Sequence, residues 1–133
     1  MTRKTIAALA AATALAITLG GCARTAPILN LENVPVTSTD GKPLTAAQVR
    51  SSIVTAGTSL GWRIVDAGPG KLEGTLMLRE HTAVVDIPYS ARSYSIVYKR
   101  SDKLNEMNGT IHSNYNGWVQ NLDRAIRTEM SRH

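Results

Sequence analysis

Three consecutive stretches of this chain alternate apolar and polar residues with a period of two, and only short turn clusters separate them. Between Lys71 and Leu78, Leu72, Gly74, Leu76 and Leu78 alternate with Glu73, Thr75 and Met77. Thr82 to Pro88 repeats the pattern through Ala83, Val85 and Ile87, and Tyr94, Ile96 and Tyr98 carry it on. A shorter run, Trp62 to Asp66, precedes them across the turn Ala67-Gly68-Pro69-Gly70. Alternation of this kind belongs to strands with one buried face. The connectors around Arg79-Glu80-His81 and Tyr89-Ser90-Ala91-Arg92 are too short for a parallel crossover, so they predict hairpins. The pattern therefore predicts a four-stranded antiparallel meander.

A one-faced sheet needs cover, and two amphipathic segments supply it. Thr45 and Gln48 form a capping box, and Leu44 is placed to staple onto Val49. Val49, Ile53, Ala56 and Leu60 then make one apolar stripe, and Gly61 sits where a left-handed C-terminal cap belongs. The second helix is predicted from Ser113 to Met130, with Tyr115, Trp118, Val119, Leu122 and Ile126 on one face. Asp123 and Arg127 are read as an i,i+4 pair on its outer face. Gly117 is an oddity there, costing about 1 kcal/mol against Ala unless a backbone approaches it. Ser101 to Gly109 reads as a polar loop. The expected fold is α+β in the order α-β-β-β-β-α, with both helices on one face of the sheet. The chain has 133 residues, no Phe and 5% aromatics, so its core rests on Val, Ile, Leu and a few Tyr and Trp.

The N-terminus has a different character. Arg3 and Lys4 precede an uncharged Ala/Leu/Ile-rich stretch from Thr5 to Leu19, fifteen residues long. That is short of the ~20 that span a bilayer and suits a cleaved export signal. Leu19-Gly20-Gly21-Cys22 closes it and resembles the bacterial lipobox. The resemblance implies a diacylglyceryl group on the Cys22 thiol and cleavage between Gly21 and Cys22. It also implies that Ala23, in place of a retention-signalling Asp, directs a Gram-negative lipoprotein to the outer membrane. Residues 1–21 are thus expected as a signal peptide, 22–42 as the lipidated Cys with a tether or edge segment, and 43–133 as a single domain. Ile28, Leu29, Leu31, Val34 and Val36 are too apolar for a fully solvated linker, and Pro35 suits an edge strand. Of the formal charge of +5, two units belong to Arg3 and Lys4, leaving +3 after cleavage. So mild an excess on an exported chain makes nucleic acid a poor partner.

Residues able to carry chemistry are scattered. The single cysteine excludes an internal disulfide and any multi-cysteine metal site. His81, His112 and His133 show no metal-ligand spacing, and a site from His81, Glu80 and Asp86 is disfavoured against a solvated turn histidine. No G-x-S-x-G elbow is present. Glu73, Glu80 and Asp86 read as solvent-face charges, and Gly68-Pro69-Gly70-Lys71 as a hairpin turn lacking phosphate-loop spacing. Tyr115 and Trp118, three apart, fit the buried stripe better than a sugar-binding platform. No catalytic residue, metal ligand or cofactor is assigned.

One surface is a candidate interaction face. With Leu72/Leu76, Val85/Ile87 and Tyr94/Ile96 turned toward the helices, the opposite sheet face carries Met77, Val84 and Val97 among Thr75, Arg79, Thr82, Asp86 and Lys99. An apolar cluster of this sort on an exposed face points to a partner or to self-association.

The segments Gly61-Trp62-Arg63-Ile64, Pro69-Gly70, Arg79-Glu80-His81, Tyr94-Ser95-Ile96-Val97-Tyr98, Ser101, Leu104 and Ile111 to Leu122 carry a wider likeness. Over about residues 26 to 130 the chain resembles a group of small proteobacterial lipoproteins without an assigned activity, departing from them at Gly117. The resemblance brings no catalytic assignment. The expected role is a non-enzymatic, lipid-anchored envelope module, held to the membrane by its acyl chains and binding an envelope protein or cell-wall component on the periplasmic side. The alternatives are an accessory subunit of a transport or secretion assembly and, less favoured, a small envelope hydrolase.

Overall fold

The computed structural model describes residues 24–133; the expected leader, with Gly21, Cys22 and Ala23, lies outside them. In chain order the elements are β1 (Thr25–Pro27), β2 (Leu31–Pro35), α1 (Ala46–Ser59), β3 (Arg63–Asp66), β4 (Lys71–Leu78), β5 (His81–Pro88), β6 (Ser93–Asp102), β7 (Thr110–His112) and α2 (Ser113–Met130). The α+β class holds, but the expected α-β-β-β-β-α order needs correction. The main sheet has five antiparallel strands in the order β2-β6-β5-β4-β3, and β1 pairs with β7 in a second, two-stranded sheet. The meander β3 to β6 is as expected. β2 extends it by pairing Leu31 with Ile96 and Pro35 with Ser93 at the edge, where a proline removes no ladder donor. β1 and β7 are three residues each, too short for any periodicity to announce them.

Both helices begin where local chemistry starts them. Thr45 Oγ1 accepts from the Gln48 N–H at 3.1 Å, and Gln48 Oε1 accepts from the Thr45 N–H at 2.9 Å, completing the capping box. At α2, His112 Nδ1 accepts from the Asn114 N–H at 3.1 Å. α1 ends through Gly61, whose φ of +88° is a left-handed turn. Among the described residues no helix is long and apolar enough to cross a membrane.

The inward residues of sheet and helices form one core. Leu72, Leu76, Val85, Ile87, Tyr94 and Ile96 meet Val49, Ile53, Ala56, Tyr115, Leu122 and Ile126, all buried. Leu104, expected within a polar loop, is buried with them. Asp123 also departs from expectation: it is buried rather than on the outer helix face, because the Tyr94 hydroxyl donates to its carboxylate.

Strands and helices also fix the ends of the molecule. α1 rises from Leu44 toward Gly61, whose added Cβ would lie 3.8 Å from Leu76 near the far end of β4. α2 runs back down until Thr39 Oγ1 donates to the Ser131 carbonyl at 3.1 Å. One end therefore carries the β4–β5 turn, the loop after β6, β1 and the start of α2. The other carries the β3–β4 and β5–β6 turns.

Two helical glycines have opposite surroundings. A Cβ on Gly57 would lie 2.6 Å from Ile64 Cδ1 and 2.7 Å from Cγ1, so α1 can approach β3 only without a side chain there. A Cβ on Gly117 would meet nothing within 4 Å. Gly57→Val is expected to destabilise by about 1–3 kcal/mol through overpacking. Gly117→Ala is expected to stabilise by up to about 1 kcal/mol through helix propensity. Urea denaturation of both variants checks the pair; a destabilising Gly117→Ala contradicts the open surroundings of that position.

Candidate functional site

The outer face of the main sheet, opposite the helices, is built around a pairing that strands alone would not favour. Register sets Glu73 of β4 directly across from Asp86 of β5, and facing like charges repel. A bulge in β6 resolves this. Val84 pairs with Arg100 and Val85 with Tyr98, so Lys99 is the extra residue. Lys99 and its neighbour Arg100 consequently reach the same carboxylate. Lys99 Nζ lies 2.7 Å from Glu73 Oε2 and 3.6 Å from Asp86 Oδ1, while Arg100 lies 4.0 Å from Glu73 Oε1. Lys71 approaches Asp86 from the other side at 3.5 Å. The hydrogen bond from Lys99 holds the Glu73 carboxyl below the ordinary carboxylate range, and the same contact raises the Lys99 ammonium.

This ionic mesh changes the character of the candidate interaction face. Val84 is only 2% exposed, Val97 is half-buried and Met77 is 73% exposed. Met77 therefore stands alone at one end of β4, and the centre of the face is charged rather than apolar. The bulge that brings two cations to one carboxylate has no signature in the alternation of β6.

A second cluster lies between the sheet edge and α2. Tyr94 donates its buried hydroxyl to Asp123, whose other oxygen pairs with Arg127 at 3.0 Å. Burial first, and then the Asp123 carboxylate, push the Tyr94 phenol far above its ordinary value, so it stays a donor. Contact with Tyr94 and Asp123 raises the Arg127 guanidinium as well. Beside this cluster runs an open groove of about 470 Å³ between Leu29 and Leu31 on one side and Gln120 and Arg124 on the other. The arrangement fastens α2 to β6 and leaves Arg124 as the cation of the groove with only a side-chain amide, Asn121, as partner at 3.3 Å. Tyr115, by contrast, is buried with its hydroxyl unpartnered and its ring edge-on to Tyr98 at 5.5 Å. Trp118 is half-buried against the core.

The histidines are apart from one another and each is tied to structure. His81 Nδ1 bonds the Lys103 carbonyl at 2.8 Å, His112 caps α2, and His133 Nε2 bonds Ser52 Oγ at 3.0 Å. Glu80 pairs with Lys103 at 3.8 Å. Gly68-Pro69-Gly70-Lys71 forms the β3–β4 turn, closed by the Ala67 N–H on the Lys71 carbonyl at 3.0 Å.

The segment that leads back toward Cys22 is held by several hydrogen bonds. Asn116 of α2 accepts from the Leu29 N–H at 3.0 Å and donates to the Pro27 carbonyl at 2.9 Å. The Ile28 N–H donates to Gly109 at 2.9 Å, and Asn30 Oδ1 accepts from the Tyr98 N–H at 2.8 Å. The Ser113 N–H donates to the Arg24 carbonyl at 2.6 Å. Within the stretch expected as a tether or edge segment, Leu31–Pro35 is an edge strand, and hydrogen bonds to the domain begin as early as Arg24. No protein-family model, curated protein or solved structure matches the chain.

Lys99→Met is expected to test the mesh through pH. A carboxyl with a lowered folded-state pKa stabilises the fold above its unfolded pKa, and that stabilisation is lost as pH falls through the folded value. The variant is therefore less stable than wild type at pH 7, where Glu73 and Asp86 face each other with only the longer contacts from Arg100 and Lys71 to offset them. The gap closes as Glu73 protonates in acid. Urea midpoints across the acid range check this; a gap independent of pH contradicts it.

Proposed function

We propose that this chain is a small bacterial lipoprotein. In this reading the Cys22 thiol carries the membrane anchor, and the domain serves as a non-enzymatic binding or structural module on the periplasmic side of the outer membrane. The observation that carries the reading is the N-terminal sequence. Arg3 and Lys4, an uncharged apolar stretch and Leu19-Gly20-Gly21-Cys22 stand in the order that export and thiol acylation require. Cysteine suits that chemistry because its sulfur is the nucleophile that accepts the diacylglyceryl group.

The domain supports a binding or structural role in how its polar groups are used. Glu73 and Asp86 are engaged by cations that tie strands together, and Asp123 by the Tyr94 hydroxyl that ties α2 to β6. The clamped N-terminal segment makes the fold continuous with its anchor, so membrane attachment positions the whole domain.

Metabolic labelling with an alkyne fatty acid in a Gram-negative host checks the anchor. The wild-type chain is expected to incorporate label and fractionate with outer membrane, and Cys22→Ala to lose both. Equal labelling of the two chains, or none in wild type, overturns the reading.

A further inference from the structure

We infer that the end of the domain formed by the β4–β5 turn and the loop after β6 rests directly on the bilayer that anchors the chain; this deepens the lipoprotein reading and rests on it. The first argument is reach. Arg24 is held to α2 by its carbonyl, and β1 begins at Thr25. Only two peptide units join Cys22 to Arg24, a Cα separation of at most about 8 Å. A domain of this size is roughly 30 Å across, and the headgroup zone on one side of a bilayer is itself about 5–7 Å deep. Whichever face carries Arg24 must therefore meet the headgroups.

Hydrogen bonds identify that face. The Ser113 N–H donates to Arg24, and Thr25 pairs with His112 across the small sheet. The His112 N–H donates to the Leu104 carbonyl at 2.8 Å, and the adjoining Lys103 carbonyl bonds His81 at 2.8 Å, just past the β4–β5 turn. The loop closes back on the N-terminal segment where Ile28 bonds Gly109. Arg24, the turn at Arg79-Glu80 and the loop through Met107 thus belong to one end.

That end is also where large apolar side chains project. Met77 and Met107 are 73% and 68% exposed, and Leu78 is 47% exposed. Among the described residues only Leu60 and Val65 otherwise expose a large hydrophobic, and neither lies in the turns at the opposite end. The charges here balance, with Arg24, Arg79 and Lys103 set against Glu80, Asp102 and Glu106. Apolar insertion at the headgroup boundary, rather than net charge, is therefore the contact, and unbranched Met side chains adapt to an irregular lipid surface.

The test uses the full chain, acylated in cells, with its state established by intact mass. Acylation consumes the Cys22 thiol, so Met77→Cys, Met107→Cys and, at the opposite end, Ala91→Cys each present one free thiol for an environment-sensitive fluorophore. The labelled proteins are reconstituted in vesicles of three parts phosphatidylethanolamine to one part phosphatidylglycerol. At positions 77 and 107 the expected result is blue-shifted emission, quenching by nitroxide-bearing lipid and several-fold weaker quenching by aqueous iodide than at 91. Acylated protein in which iodide reaches all three positions equally overturns this inference alone. An unacylated chain overturns the anchoring reading and this inference with it.

Discussion

One side-chain amide ties the N-terminal segment to α2 through both of its polar atoms. Asn116, in the first turn of α2, uses both its oxygen and its nitrogen on the backbone of residues 27 to 29. Its neighbour Tyr115 is buried in the core, so the amide is carried on a rigid support. Together with the backbone bonds of Arg24 and Ile28, that contact makes the N-terminal segment a fixed part of the domain. β2 is then delivered to the open edge of β6, and β1 to β7. An amide can satisfy a donor and an acceptor on one strand at once, which neither a carboxylate nor an ammonium can do.

The sheet divides its labour by face. Inward, aliphatic residues and two tyrosines meet both helices in one core, which supplies the main driving force for folding. Outward, charges replace apolar contact. The Glu73–Asp86 pairing is tolerable only because the β6 bulge brings Lys99 and Arg100 to it, while Lys71 closes the other side. These pairs are partly exposed, so they add little net stability. Their effect is on register: a slip of one residue would separate both carboxylates from their cations and turn the core residues outward. The bulge thus does electrostatic work that a regular strand could not.

Much of this was legible where the cause was local. The capping box at Thr45 and Gln48, the stripe of α1, the full span Ser113–Met130 of α2 and the hairpins of the meander all follow from residues close in sequence. What sequence left open depends on partners far along the chain. Thr25-Ala26-Pro27 becomes a strand only because Thr110-Ile111-His112 lies beside it. Asp123 turns inward because Tyr94, 29 residues earlier, offers a hydroxyl. Val84 is covered rather than exposed, on a face whose charges converge through a bulge that alternation does not reveal. On the outer sheet face, alternation made the exposure of Met77 legible but not the ionic mesh at the centre.

The proposed anchor and the domain lie next to one another, because β1 begins at Thr25, three residues after the acylated position proposed for Cys22. That makes the chemical state of one sulfur the pivot of the account, since location and orientation both follow from it. Intact-protein mass spectrometry of the chain extracted from bacterial membranes addresses it directly. The account predicts a polypeptide beginning at Cys22 and heavier than its residues by a diacylglyceryl group, with or without a further acyl chain on the amine. A chain retaining Met1 to Gly21, or one starting at Cys22 with a free thiol, would contradict it.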